Sequence, residues 1–286
     1  MLIAAALVYG AFISVHKVAG ESGMAPIAYG FWQSLGAGLV LLALSFVTGG
    51  PPGRSAAHVR AYLVIGALAI GLPVSLLAYV APNLPISVMT LVFAMSPPMT
   101  YALGLLARIE RWRWSALIGI GFGLAGVLVV VAPGAAMPEP GMAGWFLLAL
   151  CAPMMFGAAN ISAKILRPPA MSSVAMASGV LLGSACVQAI AMTVTGHTHW
   201  FPDFPSTAEG ALLAAVVINS IFVTLYLEIV RLAGPVFFSQ FNYLAVLTGL
   251  GWGWLIFADA VDPMVWVAFV LMAIGVVLIS RRPATE

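Results

Sequence analysis

Four amides, Asn160, Asn219, Gln240 and Asn242, stand in runs that are otherwise almost wholly apolar. An amide supplies donors and acceptors without a fixed charge, so this set suits an amine or a carboxylate held by hydrogen bonds alone. Gln33 and Ser96 extend the polar set, and Trp32, Tyr79, Tyr101 and Tyr243 are faces on which a flat or apolar ligand could stack. Glu228 is the one acid clearly inside an apolar run, with Arg231 three residues on and on the same helix face. It reads either as half of a structural ion pair or as a proton-coupling carboxylate. His16 and Lys17 interrupt the first apolar run. Lys17 either snorkels to an interface or holds an anion at a cavity mouth; His16 is either a hydrogen-bonded interior histidine or a ligand contact. Pro97 and Pro98, in the middle of another run, free backbone carbonyls that serve as ligands or hinges, or only kink the helix.

The elements that carry these residues follow from composition. Of 286 residues 63% are hydrophobic and 7% charged, and the mean hydropathy is +1.10. A water-facing surface cannot be built from so few charges, so lipid is the solvent for most of the chain. The net charge of +2 gives no reason to expect a nucleic-acid partner. No cofactor is expected, and the absence of C-x-x-C and H-E-x-x-H spacing leaves no expected metal. Cys151 and Cys186 both lie in apolar runs and read as small core residues.

Ten runs reach the roughly 20 apolar residues that a spanning helix needs. They cover about 2–20, 26–48, 61–81, 84–107, 114–132, 142–166, 171–195, 209–230, 235–257 and 263–281. Turn-formers such as "GGPPG" at 49–53 and "RPPA" at 167–170 separate them. The first run lacks the basic start and small-residue cleavage site of a leader, so it reads as a span. Arg54, Arg60, Arg108, Arg111, Arg113, Lys164, Arg167, Arg231, Arg281 and Arg282 all fall between or after spans on one side. The positive-inside rule makes that side cytoplasmic and puts both termini there.

A repeat organises the spans. At an offset of 147, "YGAFISVHK" (9–17) falls on "FGAANISAK" (156–164), so that Gly10 meets Gly157 and Lys17 meets Lys164. Near the ends of the halves the offset is 149, and "LAGVLVV" (124–130) falls on "AIGVVLI" (273–279). Two segments, 1–133 and 142–282, therefore hold five spans each. Five is odd, so the second enters the membrane upside down. The expected fold is all-α and integral to the membrane, ten helices in two inverted five-helix repeats. Such repeats rock about a site near the bilayer midplane. Spans five and ten carry almost no polar side chains and are expected at the periphery, with Gly119 and Gly123 fitting either an internal or a dimer contact. Spans one to four and six to nine would wall a cavity.

In layout and in local features the chain resembles the EamA branch of the drug/metabolite transporter superfamily. The features are "VYGAFISVHK" in span one, "SPPMTYALGLLARIERW" with Glu110 and Arg111 at its end, and the glycine-containing "GIGFGLAGVLVVVAP" and "MAIGVVLIS". The resemblance implies an alternating-access exporter of amino acids or related metabolites in a bacterial inner membrane, monomeric or weakly dimeric, and not an enzyme. Members of similar layout export aromatic amino acids; others in the superfamily move nucleotide sugars, vitamins or cationic toxicants. Gln33 stands where members often carry arginine, and no arginine follows Asp259. One rival reading is an intramembrane serine protease, with "GESG" (20–23) offering Ser22 as nucleophile and His197 or His199 as base. A channel is the other, though no acidic ring lies within the spans.

Overall fold

Proline and glycine decide where these apolar helices run straight and where they break. The computed structural model describes residues 1–21, 24–80, 83–84, 92–131, 143–196, 198, 206–257 and 264–280. It is all-helical, with ten helical stretches that correspond to the ten expected runs. Helix α1 is Leu2–Glu21 and α2 is Pro26–Thr48. The third stretch is α3 (Ala56–Gly66), a π-helical turn Ala67–Gly71 and α4 (Leu72–Val80). Then come α5 (Ser96–Leu106) and α6 (Trp114–Val131). The sixth stretch is α7 (Ala143–Ala149) followed by α8 (Cys151–Ile165). Next are α9 (Ser173–Thr195) and α10 (Thr207–Ala233). The ninth is α11 (Pro235–Ser239) with α12 (Phe241–Phe257), and α13 is Met264–Ser280.

Five segments among the described residues are long and apolar enough to cross a bilayer: Pro26–Thr48, Ala56–Leu77, Gly144–Ile165, Ser173–Thr195 and Thr207–Ala233. Four further apolar segments are shorter: Leu2–Phe12, Val92–Leu106, Trp114–Val129 and Trp266–Ile279.

Three of the breaks lie within about one turn before a proline, and the fourth, at Gln240, has no proline after it in its helix. A proline has no N–H, and its ring crowds the carbonyl four residues back. Ahead of Pro73 the helix widens to a π-turn, in which the Leu72 N–H donates to the Ala67 carbonyl. Ahead of Pro153 it breaks at Leu150, between α7 and α8. At Pro97 and Pro98 the fourth stretch is interrupted as well: residues 92–94 are helical, the chain turns at Met95, and the prolines open α5, where a missing N–H costs nothing.

Packing pairs the helices across the two halves. The second stretch packs on the seventh and the fifth on the tenth. Helix α1 packs on α12 as α5 packs on α8, and α1 on α10 as the third stretch packs on α8. Each of these pairs maps onto itself or another when the halves are exchanged. The α6–α13 contact is close because a Cβ on Gly119 would lie 2.7 Å from the Gly275 carbonyl oxygen, and one on Gly126 3.0 Å from that of Ala268. Gly123 faces the Tyr243 ring, which would come within 2.0 Å of an added Cβ. Gly119 and Gly123 are thus used inside the molecule, and the dimer contact expected of them as an alternative has no free glycine face to use.

Candidate functional site

The helix discontinuities converge on one cavity of about 130 Å³. Tyr9 and Phe12 of α1 line it, with Gln33 of α2 and Ala69 and Ile70 of the π-turn. Phe93 and Ser96 flank the break before α5, and Phe156, Ala159 and Asn160 come from α8. Asn219, Phe222 and Tyr226 of α10 and Phe238, Phe241 and Asn242 from either side of the Gln240 break complete the wall. Broken helices at a site are the usual way a membrane protein brings backbone and side-chain polarity to mid-depth.

The lining is mostly aromatic. Tyr9 lies 4.7 Å from Phe222 and 5.1 Å from Phe241, ring centre to ring centre. Phe238 stacks on Phe241 at 5.3 Å, Tyr226 tilts against Phe238 at 4.5 Å, and Phe93 stacks on Phe156 at 5.9 Å.

Within this apolar shell four buried polar atoms have no hydrogen-bond partner: Gln33 Oε1, Ser96 Oγ, Asn219 Nδ2 and the Tyr226 hydroxyl. An unmade hydrogen bond costs about 1–3 kcal/mol per buried group. Four such atoms, both donors and acceptors, gather around this one cavity. Two amides are already engaged: Asn160 Nδ2 donates to Thr100 Oγ1 at 3.3 Å, and Asn242 Nδ2 donates to the Ser239 carbonyl at 3.1 Å. No charged residue is among the described lining residues.

Of the residues singled out from the sequence, Gln33, Ser96, Asn160, Asn219 and Asn242 come together here. The others do not line the cavity, each for a physical reason. Tyr79 is 64% exposed on the outer flank of α4, beside Trp145. Tyr101 is buried in the middle of α5, and its hydroxyl reaches past the helix end to donate to the Arg111 carbonyl and accept from the Arg113 N–H. Tyr243 is fully buried against Val127, Ala268 and Met272, and its hydroxyl donates to the Ile120 carbonyl. Gln240 is buried at the helix break, its Nε2 donating to the Val236 carbonyl at 3.4 Å. Trp32 packs edge-on to Phe31, beside the cluster of Phe12, Met24 and Tyr29. Gln188 accepts from Ser184 Oγ and presses on Gly30, so the seventh stretch contributes nothing to the wall.

His16 and Lys17 fall on α1, but their side chains lie outside the described residues, as do Ser22, His197 and His199. Pro97 and Pro98 follow Ser96 directly at the start of α5. Glu228 lies two residues beyond Tyr226, away from the cavity; it pairs with Arg231 and accepts from Ser173 Oγ. Glu110 pairs with Arg113 at 3.9 Å.

Sequence reasoning missed most of the aromatic wall. A signal was present for two of its members: Tyr9 and Phe156 are the aromatics before Gly10 and Gly157, the matched openings of the repeat. Tyr226 meets Tyr79 at the offset of 147, and because tyrosine favours membrane interfaces both read equally as belt residues. One is buried at the cavity and the other exposed, since only the third stretch carries the π-turn that shifts its register.

Residues 1–132 match the EamA-like transporter family. The match covers 132 of the 286 residues, and the matched family is one of transporters and not of enzymes. No curated protein matches the chain at a significant level. A solved structure titled only "Crystal structure of protein" shares the fold with a TM-score of 0.80, over 97% of this chain and 95% of its own, at 16% identity.

Proposed function

Starting from the EamA-like domain of residues 1–132, we propose that the chain is an alternating-access carrier that exports aromatic amino acids, or related small aromatic metabolites, across a bacterial inner membrane. Two inverted five-helix repeats, 1–133 and 142–282, do the work, and both termini are cytoplasmic. The exchange symmetry of the packing pairs supports the repeats. The basic residues gathered at one set of helix ends support the orientation.

The observation that carries the reading is the cavity: aromatic walls from both halves around four unsatisfied polar atoms. The reading sets an aromatic ring against the apolar walls that Tyr9, Phe222, Phe241 and the Phe93–Phe156 stack provide. Its polar substituents meet the acceptor of Gln33, the donor of Asn219 and the two hydroxyls. The lack of a carboxylate among the described lining residues weighs against a cationic solute. Glu228, held by Arg231 and Ser173 outside the cavity, serves as a structural pair.

The test is counterflow in proteoliposomes loaded with single unlabelled amino acids. Accumulation of labelled Phe, Tyr or Trp, absent from empty liposomes, is the expected result. Accumulation of aliphatic or polar amino acids alone would sink the aromatic assignment and keep the carrier.

A further inference from the structure

A second and larger cavity, of about 780 Å³, lies one helical turn beyond the first, at the end of the molecule where the basic residues gather. The two follow each other along the same helices: Asn160 of α8 lines the first and Lys164 the second, Tyr226 of α10 lines the first and Glu228 the second. Three cations, Lys164, Arg167 and Arg231, face the larger cavity against one carboxylate, Glu228, leaving a net charge of +2.

These cations are not equivalent. Arg167, in the turn between α8 and α9, donates to the Leu227 carbonyl (3.1 Å), the Met171 carbonyl (3.0 Å) and Ser173 Oγ (2.9 Å), which fixes the wall. Burial lowers its pKa and the nearby Glu228 carboxylate raises it. Arg231 holds Glu228, so the one carboxylate in the cleft is already neutralised. Lys164 is exposed and has no ion-pair or hydrogen-bond partner among the described residues. A free ammonium beside a neutralised pair and a buried guanidinium leaves positive charge that no described residue balances.

The repeat shows that the fold does not require this charge. At the offset of 147, Lys164 meets Lys17, but Arg167 meets Gly20 and Arg231 meets Leu84. By sequence, the positions matched to these three cations carry one cation, Lys17. The surroundings are apolar: Phe46 and Val47, just before the lining residue Gly49, and Ile165 and Leu232, beside Lys164 and Arg231, are all exposed. A cationic notch flanked by exposed hydrophobic side chains, at the end of spanning helices, suits a phosphate headgroup whose acyl chains lie along the helix flank.

We propose that this cleft binds the phosphate of an anionic ligand, with Lys164 as its free cation and an anionic phospholipid of the cytoplasmic leaflet as the source. Placing the cleft in that leaflet rests on the orientation given above; the binding itself does not.

The test measures thermal stability of the purified full chain in a non-ionic detergent. Short-chain phosphatidylglycerol, short-chain phosphatidylcholine and inorganic phosphate are added separately, to the natural chain and to Lys164→Gln. Lys164 makes no internal contact to lose, so the variant is expected to fold. Phosphatidylglycerol is expected to raise Tm by about 4 °C at saturation, with most of the shift lost in Lys164→Gln. An equal rise with inorganic phosphate, lost in the same variant, would keep the phosphate site and make its source a soluble ion. A rise that phosphatidylcholine matches, one that Lys164→Gln retains, or none with either phosphate would overturn the proposal. The readout needs no transport, so failure of counterflow and failure of this site are separate results.

Discussion

On the proposed function, four side chains carry the specificity of the central cavity, and their effects should differ by what each can replace. Asn219→Leu keeps size and removes the free Nδ2 donor. A hydrogen bond to a ligand is worth about 1 kcal/mol or more, so KM in counterflow should rise roughly fivefold or more with little change in Tm. Tyr226→Phe should act in the same direction, because its hydroxyl is buried, unpartnered and at the cavity. Tyr79→Phe should leave transport unchanged, since that ring faces outward. Equal losses at Tyr79 and Tyr226 would break the assignment. The difference between these two matched tyrosines is also where sequence reading reached its limit. The amides could be found because a polar group in an apolar run stands out. Of the four aromatics expected at the site, none lines it, because a Trp or Tyr serves equally as wall, belt or core. The eight phenylalanine and tyrosine residues that do line it looked like ordinary membrane side chains, and only the repeat marked Tyr9 and Phe156.

At the level of helices, the ten stretches were legible from hydropathy, and their interruptions from proline, but not the form each interruption takes. Ahead of Pro73 the helix widens to a π-turn, whereas at Pro97–Pro98 it breaks at Met95 and restarts as α5. The distinction depends on which upstream carbonyl finds another donor, and tertiary packing decides that. The π-turn places Ala69 and Ile70 at the cavity. Pro73→Ala restores the missing N–H and allows an ordinary helix, which would rotate the residues after it relative to the wall. Counterflow should fall severalfold while the protein still assembles, as checked by size-exclusion chromatography and Tm. The α6–α13 contact makes a different demand. Gly119→Leu drives a side chain into the Gly275 backbone and should cost about 1–3 kcal/mol, read as a lowered Tm, with transport lost only as far as folded protein is lost.

Over the whole molecule, two halves of one pattern enclose a neutral aromatic cavity and leave an uneven charge at the two ends. The fold supplies the symmetry, and the basic residues break it. This arrangement predicts sidedness. In a background without Cys151 and Cys186, a cysteine at Thr198 should react with an impermeant maleimide in intact cells, and one at Ala57 only after lysis; both positions are exposed. The opposite pattern would invert the orientation and, with it, the direction of export. The central claim is that solute passes through the cavity between Tyr9, Asn219 and Phe156. The most direct test is to fill it: Ala159, buried in the wall of α8, is replaced by Phe, and counterflow of the aromatic substrate is measured beside Tm. The account predicts a folded protein, with Tm close to that of the natural chain, and no counterflow. Undiminished counterflow through a filled cavity would contradict it.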